Sequence, residues 1–356
     1  MSDILQYLKE AVELNTSDIF IGAGRCIAFK VDGYIKKQSS TPLNVDEAND
    51  IITQLYGLAK RSMDNYLKTG DDDFSVSIPH LARFRISAYQ QRGTKAAAIR
   101  IVNFDLPDFR QLQIPEEVMA IAGLRNGLAL VTGPTGSGKS TTLACIINAI
   151  NENRNSHIIT LEDPIEYIHR DKQSLISQRE VSSDTNSYLT ALRAAMRQSP
   201  DVILLGELRD YETIRAAITA AETGHLVIST LHTLGAANSI DRIIDVFPAG
   251  QQQQVRVQLS MILQAVVSQQ LIPDKSGSLF PVFEIMRMNN AIGNLIRESK
   301  IHQIDGMIQT SKAEGMISID SYIFDLYKEG TITEETALAY CVNTQQMTKR
   351  LSAGSL

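Results

Sequence analysis

Hydrophobic and polar positions follow two regimes along this chain, and the change falls near residue 105. Before it, short segments alternate. Asp73-Phe-Ser-Val-Ser-Ile78, Ala82-Arg-Phe-Arg-Ile-Ser-Ala-Tyr89 and Ala96-Ala-Ala-Ile-Arg-Ile-Val102 carry a period of about two residues, which predicts three strands of one sheet. Ser17–Ile21 and Cys26–Asp32 predict two more, around a Gly22/Gly24 turn, with Asp32-Gly-Tyr34 as a hairpin turn. Helical spacing covers Ile4–Leu14, Asn44–Tyr56 and Ser62–Leu67, and Asn44 with Glu47 has the spacing of a capping box. Residues 1–105 therefore read as a small α+β domain, and 106–117 as a linker.

From about Ile114 the pattern becomes alternating strands and helices. The apolar runs Leu128–Thr132, His157–Leu161, Val202–Gly206 and Leu226–Thr230 predict buried strands with helices between them. That order implies a mostly parallel sheet covered on both faces. After Pro248, Gln251–Gln270 predicts one long amphipathic helix. A short strand pair follows near Leu271–Ile272 and Phe280–Ile285, then helices to the end. The second domain is thus an α/β domain over 118–356, with a helical region from about residue 250.

Composition narrows the class. The chain has 356 residues, enough for two domains, with 44% hydrophobic and 21% charged residues. No apolar run approaches the ~20 residues of a membrane span. The N-terminal segment has the pattern of a capped amphipathic helix and not of a signal peptide. Cys26, Cys145 and Cys341 are far apart and form no C-x-x-C pair, so neither a zinc site nor a disulfide framework is expected. These features point to the cytoplasm. The net charge of −6 and a pI near 5.6 argue against a dedicated nucleic-acid binder, which carries a basic face.

The chemistry concentrates in one motif. Gly133, Pro134, Thr135, Gly136, Ser137, Gly138, Lys139 and Ser140 fit G-x-x-x-x-G-K-[ST], and Thr141 continues into an apolar helical segment. The motif sits between a strand and a helix, as a phosphate-binding loop requires. Its glycines turn backbone N–H groups inward at a helix N-terminus. Lys139 can reach β- and γ-phosphates, and the Ser140 hydroxyl can ligate Mg2+. ATP with Mg2+ is the expected ligand.

Three later segments supply groups for hydrolysis. Thr160-Leu-Glu-Asp-Pro-Ile-Glu-Tyr167 brings Glu162, Asp163 and Glu166 to a strand end, where ligands of open α/β sheets bind. Glu166, or else Glu162, can orient or deprotonate an attacking water. Asp201-Val-Ile-Leu-Leu-Gly-Glu207 is the Walker B pattern, a buried strand delivering a carboxylate toward Mg2+. A glutamate is one methylene longer than aspartate, which favours action through a metal-bound water. Leu226–Thr233 ends a further strand at His232, placed to sense the γ-phosphate or to couple subunits. Arg83, Arg85, Arg92 and Arg100 lie in the first domain, and Arg209, Arg215 and Arg242 near the expected site. Such arginines either solvate a surface or neutralise phosphate charge as arginine fingers.

With these residues in place the chain resembles the type II/type IV secretion ATPase superfamily, and within it the twitching-motility (pilus retraction) ATPases. The resemblance runs end to end. It rests on the phosphate loop, on Thr160–His169 as the Asp box, on Leu192–Asp210 around Walker B, and on Ser229–Thr233 through Asp241–Pro248 as the His box. Gln269-Gln-Leu-Ile-Pro273 and Gly315–Asp320 also fit. It implies a PAS-like first domain, a RecA-like second domain and a homo-hexameric ring. Catalytic roles would fall to Glu166, Glu207 and His232, and arginine-finger roles to Arg85, Arg92 and Arg100. The implied work is pilus retraction, driven at the inner face of the cytoplasmic membrane through a polytopic platform protein. Pilin would be engaged indirectly, and nucleic acid not at all.

Two features point to retraction: no extra N-terminal domain and no tetracysteine element. One departs from it. Asn290-Ala-Ile-Gly-Asn-Leu-Ile-Arg-Glu298 resembles the retraction signature, but Gly293 stands where the signature has arginine. The alternatives are an extension or secretion motor of a minimal system, a nucleic-acid translocase, and a nucleotide-dependent scaffold. The acidic pI counts against the translocase, and the full set Lys139, Glu166, Glu207 and His232 against the scaffold.

Overall fold

The computed structural model describes residues 3–31, 33–79, 81–102 and 106–353. The chain folds as two compact units: Met1–Asp105 with Glu166–Ile168, and Leu106–Ile165 with His169–Leu356.

The first unit runs α1 (Ile4–Glu13), β1 (Asp18–Gly22), β2 (Ala28–Val31), β3 (Tyr34–Lys37), α2 (Val45–Ala59), α3 (Asp64–Thr69), β4 (Asp71–Ile78), β5 (Ala82–Gln91) and β6 (Thr94–Val102). Its six strands form an antiparallel sheet in the order β3-β2-β1-β6-β5-β4. Alternation along β5 buries Ala82, Phe84, Ile86 and Ala88, and turns Arg83, Arg85 and Ser87 to the other face. Leu8 of α1 and Ile51, Ile52 and Leu55 of α2 pack onto the buried face. The capping box forms as expected: Glu47 N–H donates to Asn44 Oδ1 at 2.9 Å, and Asn44 N–H to Glu47 Oε2 at 2.8 Å. Strand β3 has no sequence signature because all four of its residues are exposed at the sheet edge. Asp32 of the expected hairpin turn lies outside the described residues. Val31 and Tyr34 on either side are paired.

The second unit runs α4 (Glu116–Met119), β7 (Gly127–Thr132), α5 (Lys139–Asn153), β8 (His157–Glu162), β9 (Leu175–Glu180), α6 (Tyr188–Ala195), β10 (Val202–Leu205), α7 (Tyr211–Glu222), β11 (Leu226–Leu231), α8 (Ala236–Asp245), α9 (Ala249–Ile262), β12 (Leu263–Pro273) and β13 (Leu279–Arg287). The helices α10 (Asn290–Arg297), α11 (Ile304–Thr310), α12 (Ile319–Lys328), α13 (Glu334–Tyr340) and α14 (Thr344–Ala353) follow. The seven strands are ordered β13-β12-β7-β11-β10-β8-β9, and every pairing is parallel except β12 with β13. The central strands are buried on both faces. Leu128 and Leu130 of β7 join the layer built by α6 to α10, whereas Ala129 and Val131 join the layer of α4 and α5.

The helix expected over Gln251–Gln270 is a correction. It ends at Ile262, and Leu263–Pro273 is an eleven-residue strand between β7 and β13. A strand covered on both faces shows no alternation. Its Ser268, Gln269 and Gln270 are buried yet polar, so the segment reads as the continuation of the polar helix before it. The region from 250 thus begins with a helix and two strands that complete the sheet, and its mainly helical part starts at Asn290. Strand β9 was also unannounced, since it is a polar edge strand.

Glu284 on β13 ties two helices to this sheet. Its Oε1 accepts the Ala236 N–H at the start of α8 at 2.8 Å. The carboxylate also accepts the backbone N–H of Ile319, where α12 begins. Burial is the main reason that its pKa is pushed up to about 7, with Asp305 and Asp320 adding to the rise. A carboxyl whose folded pKa exceeds its unfolded value stabilises the fold fully at low pH, and that contribution is lost as pH rises through the folded value. The stability difference between the natural chain and Glu284→Gln is therefore expected to shrink by about 3 kcal/mol from pH 4.5 to pH 8. Thermal unfolding of both at matched pH measures it, and an equal difference at both pH values would mean an ordinary carboxyl.

Candidate functional site

Strand β7 ends at Thr132 and the loop turns at Gly133 (φ 141°), Gly136 (φ 80°) and Gly138 (φ 86°) before α5 begins. The reason for glycine differs between positions. A Cβ at Gly133 would stand 2.0 Å from the backbone oxygen of Gln269 on β12, and one at Gly138 2.9 Å from Gln269 Nε2. At Gly136 there is open space, so only the positive φ calls for glycine. Gln269 Oε1 also accepts the Thr142 hydroxyl of α5 at 2.7 Å. One side chain of β12 thus buttresses the loop and the helix behind it.

The loop suits an anion. The fifteen-residue α5 presents its N-terminus with no acidic residue in its first turn. Lys139 is buried, with Nζ donating to the carbonyls of Gly133 (2.8 Å) and Pro134 (2.9 Å). The hydroxyls of Thr132 and Ser137 are buried without a hydrogen-bond partner among the described residues. Pro134, Thr135, Gly136 and Ser140 are exposed and Thr141 is half-buried, so the loop faces solvent at its rim.

Sheet order brings the other segments alongside. Because β7, β11, β10 and β8 are parallel neighbours, their carboxyl ends deliver Gly133, His232, Glu207 and Glu162 in a row. Side chains then join three of these ends. Glu207 pairs with Arg209 through one carboxylate oxygen and with His232 Nε2 at 3.3 Å through the other. His232 Nδ1 lies 3.5 Å from the Thr135 hydroxyl of the loop. The tautomer with the proton on Nε2 satisfies both contacts, donating to Glu207 and accepting from Thr135. Glu162 Oε1 accepts from Thr160 Oγ1 at 2.6 Å and Gln178 Nε2 at 3.2 Å. Arg215 and Arg242 stand on exposed faces of α7 and α8.

No three His, Cys, Asp or Glu side chains converge as a protein-only metal site among the described residues. A divalent cation held by Ser140 and Glu207 would need phosphate or water oxygens to fill its shell, as oxygen-seeking Mg2+ does in phosphate-loop proteins.

The remaining expected residues lie in the first unit. Glu166 is exposed and groups there with Tyr167 and Ile168. Arg92 (φ 50°) and Gly93 (φ 73°) form the tip of the β5–β6 hairpin. Arg85 and Arg100 are direct cross-strand partners, and Asp18 faces Arg100 from β1. Asp18 Oδ1 accepts Arg100 Nε at 2.9 Å. Asp18, Asp73, Arg85, Ser87 and Arg100 line one cleft of about 310 Å3. Like charges placed opposite each other on a sheet repel, and the two aspartates in the cleft offset this.

The family model for type II/IV secretion system proteins matches residues 1–330. The chain belongs to this family. It is 43% identical over 341 residues to the "Twitching motility protein" of Neisseria gonorrhoeae, covering 94% of this chain and 91% of that one. To the "Type IV pilus retractation ATPase PilT" of Pseudomonas aeruginosa it is 42% identical over 336 residues, covering 94% and 97%. The crystal structure of the pilus retraction motor PilT with bound ADP superposes with a TM-score of 0.90, at 42% identity, covering 98% of this chain and 100% of that one. The family's two-part logic, a RecA-like ATPase domain and a smaller α+β domain, is the fold described above.

Two features escaped the sequence. Gln269 was legible only as part of a family pattern, because its segment read as helix. The Arg209 contact to Glu207 had no spacing rule to announce it. Gly293 is buried on α10, where a Cβ would meet Ser260 O of α9 at 3.6 Å. Gly133→Ala is expected to destabilise the protein by more than about 2 kcal/mol, since a backbone oxygen must move. Gly136→Ala should cost about 1 kcal/mol from φ alone. Unfolding midpoints of the two variants test the ranking, and equal losses would contradict the Gln269 contact.

Proposed function

We propose that this chain is the ATPase subunit of a pilus retraction motor, binding ATP with Mg2+ on the loop Gly133–Thr141 and hydrolysing it to drive pilin depolymerisation. The observation that carries this reading is the Thr135–His232–Glu207 chain of contacts, which links the phosphate loop to the carboxylate beside it. Similarity at 42–43% identity to proteins named for twitching motility and pilus retraction supports the direction of work.

The roles follow from the chemistry. Loop N–H groups and Lys139 cradle the phosphates. Ser140 and Glu207, the latter through water, would hold Mg2+, which when bound neutralises charge building on the phosphates. Glu166 accepts the proton of the attacking water as the bond between the β- and γ-phosphates breaks, leaving ADP and inorganic phosphate. His232, touching both Thr135 and Glu207, reports whether the γ-phosphate is present. Arg85, Arg92 and Arg100 act from another copy of the chain in a homo-hexameric ring, neutralising phosphate charge there. Residues 106–117 link the PAS-like domain of 1–105 to the ATPase domain of 118–356. The ring would work at the inner face of the cytoplasmic membrane against a polytopic platform protein. No described helix is long and apolar enough to cross a membrane itself. An extension or secretion motor is the second reading, favoured by Gly293 where the retraction signature has arginine; the presence of only three cysteines, too few for a tetracysteine element, speaks against it.

ATP hydrolysis should be measured against protein concentration, with light scattering alongside. The rate per subunit is expected to rise as hexamers form and to fall at least about 100-fold in Arg100→Ala. Glu166→Gln should retain ATP without turnover. A concentration-independent rate in a monomer, unaffected by Arg100→Ala, would remove the ring.

A further inference from the structure

Tyr188 is the first residue of α6, and its ring packs against the layer of apolar side chains under that helix. Its hydroxyl reaches the end of β10. A Cβ on Gly206 would stand 2.6 Å from that oxygen and 3.4 Å from the ring's Cε1, with Leu161 O at 3.2 Å. Gly206 does not have a positive φ, so its backbone makes no demand for glycine. What glycine leaves is space, and the phenol oxygen occupies it. The backbone there is fixed, because Gly206 N–H donates to Leu161 O at 2.8 Å and Gly206 O accepts from Thr230 Oγ1 at 2.6 Å.

The hydroxyl therefore has a built seat, one residue before Glu207. It has no hydrogen-bond partner among the described residues, although a half-buried phenol ordinarily finds one. The charged groups around it are Asp163, Glu207, Arg209 and Glu162. A phenol of ordinary acidity is neutral near pH 7, so the hydroxyl is an O–H donor. Carboxylates beside it act only as acceptors, and a water among them has its orientation fixed best by a neutral donor.

We propose that Tyr188 is a positioning residue for ATP hydrolysis: its O–H donates to the water held at the Glu207 carboxylate and so orients the water network from which the attacking molecule is drawn. This rests on the ATPase reading above.

Tyr188→Phe removes the oxygen and keeps the ring, and is tested by steady-state ATP hydrolysis, equilibrium binding of ADP and thermal unfolding. The expected result is a fall in kcat of about tenfold, the worth of one oriented hydrogen bond. KM for ATP and Kd for ADP should stay within about twofold, and the unfolding midpoint should not move. Unchanged kcat in Tyr188→Phe overturns the proposal. So does a fall matched by weaker ADP binding or by a lower midpoint, since either marks a packing role. Tyr188→Leu, which loses ring and hydroxyl together, should lower kcat at least as far and also lower the midpoint; a kcat above that of Tyr188→Phe contradicts an orienting role. A natural chain that binds ATP and never hydrolyses it removes the ATPase reading and this inference with it.

Discussion

The backbone oxygen of Gln269 lies where a side chain on Gly133 would have to be. Much of the second unit depends on that close approach. It holds the phosphate loop against β12, and Thr142 on the same glutamine holds the first turn of α5. Loop and helix are thereby referenced to the sheet, and the parallel order β7, β11, β10, β8 sets His232, Glu207 and Glu162 beside them. Only glycine permits the approach, so a motif usually explained by phosphate contact is also a packing requirement on the opposite side.

Electrostatics divides between the two units. In the second, Lys139 is held by two backbone carbonyls, while Glu207 is answered by Arg209. In the first, Arg85 and Arg100 face each other across neighbouring strands in a cleft that also holds Asp18 and Asp73. A cation held by neutral carbonyls gains from an anionic ligand, whereas a cleft with equal numbers of arginines and aspartates is already neutral.

Much of this was legible from residues alone, for definite reasons. Alternation in β5 and β6 showed because one face is buried and the other polar. The Asn44–Glu47 box showed because capping depends on two residues three apart. The phosphate loop, Glu207 and His232 showed because each follows a continuous apolar run. Strand β12 did not show, since a doubly covered strand has no alternation and its buried glutamines look like surface. Edge strands β3 and β9 lacked an apolar face to advertise them. The seat of Tyr188 is a contact between residues eighteen positions apart, set by the fold and by no local pattern.

Neighbouring residues of a strand point to opposite sides, and β12 uses both. Gln269 bears on the phosphate loop, while Gln270 Nε2 donates to the carbonyl of Tyr340 at the end of α13, 3.2 Å away. Between those two contacts there is one peptide bond and no hinge. The strand is paired with β7 on one edge and with β13 on the other. In mechanical terms β12 is a shared footing, with the phosphate loop on one side and the end of α13 on the other. Whatever fixes the place of the loop on this strand also fixes the place of α13.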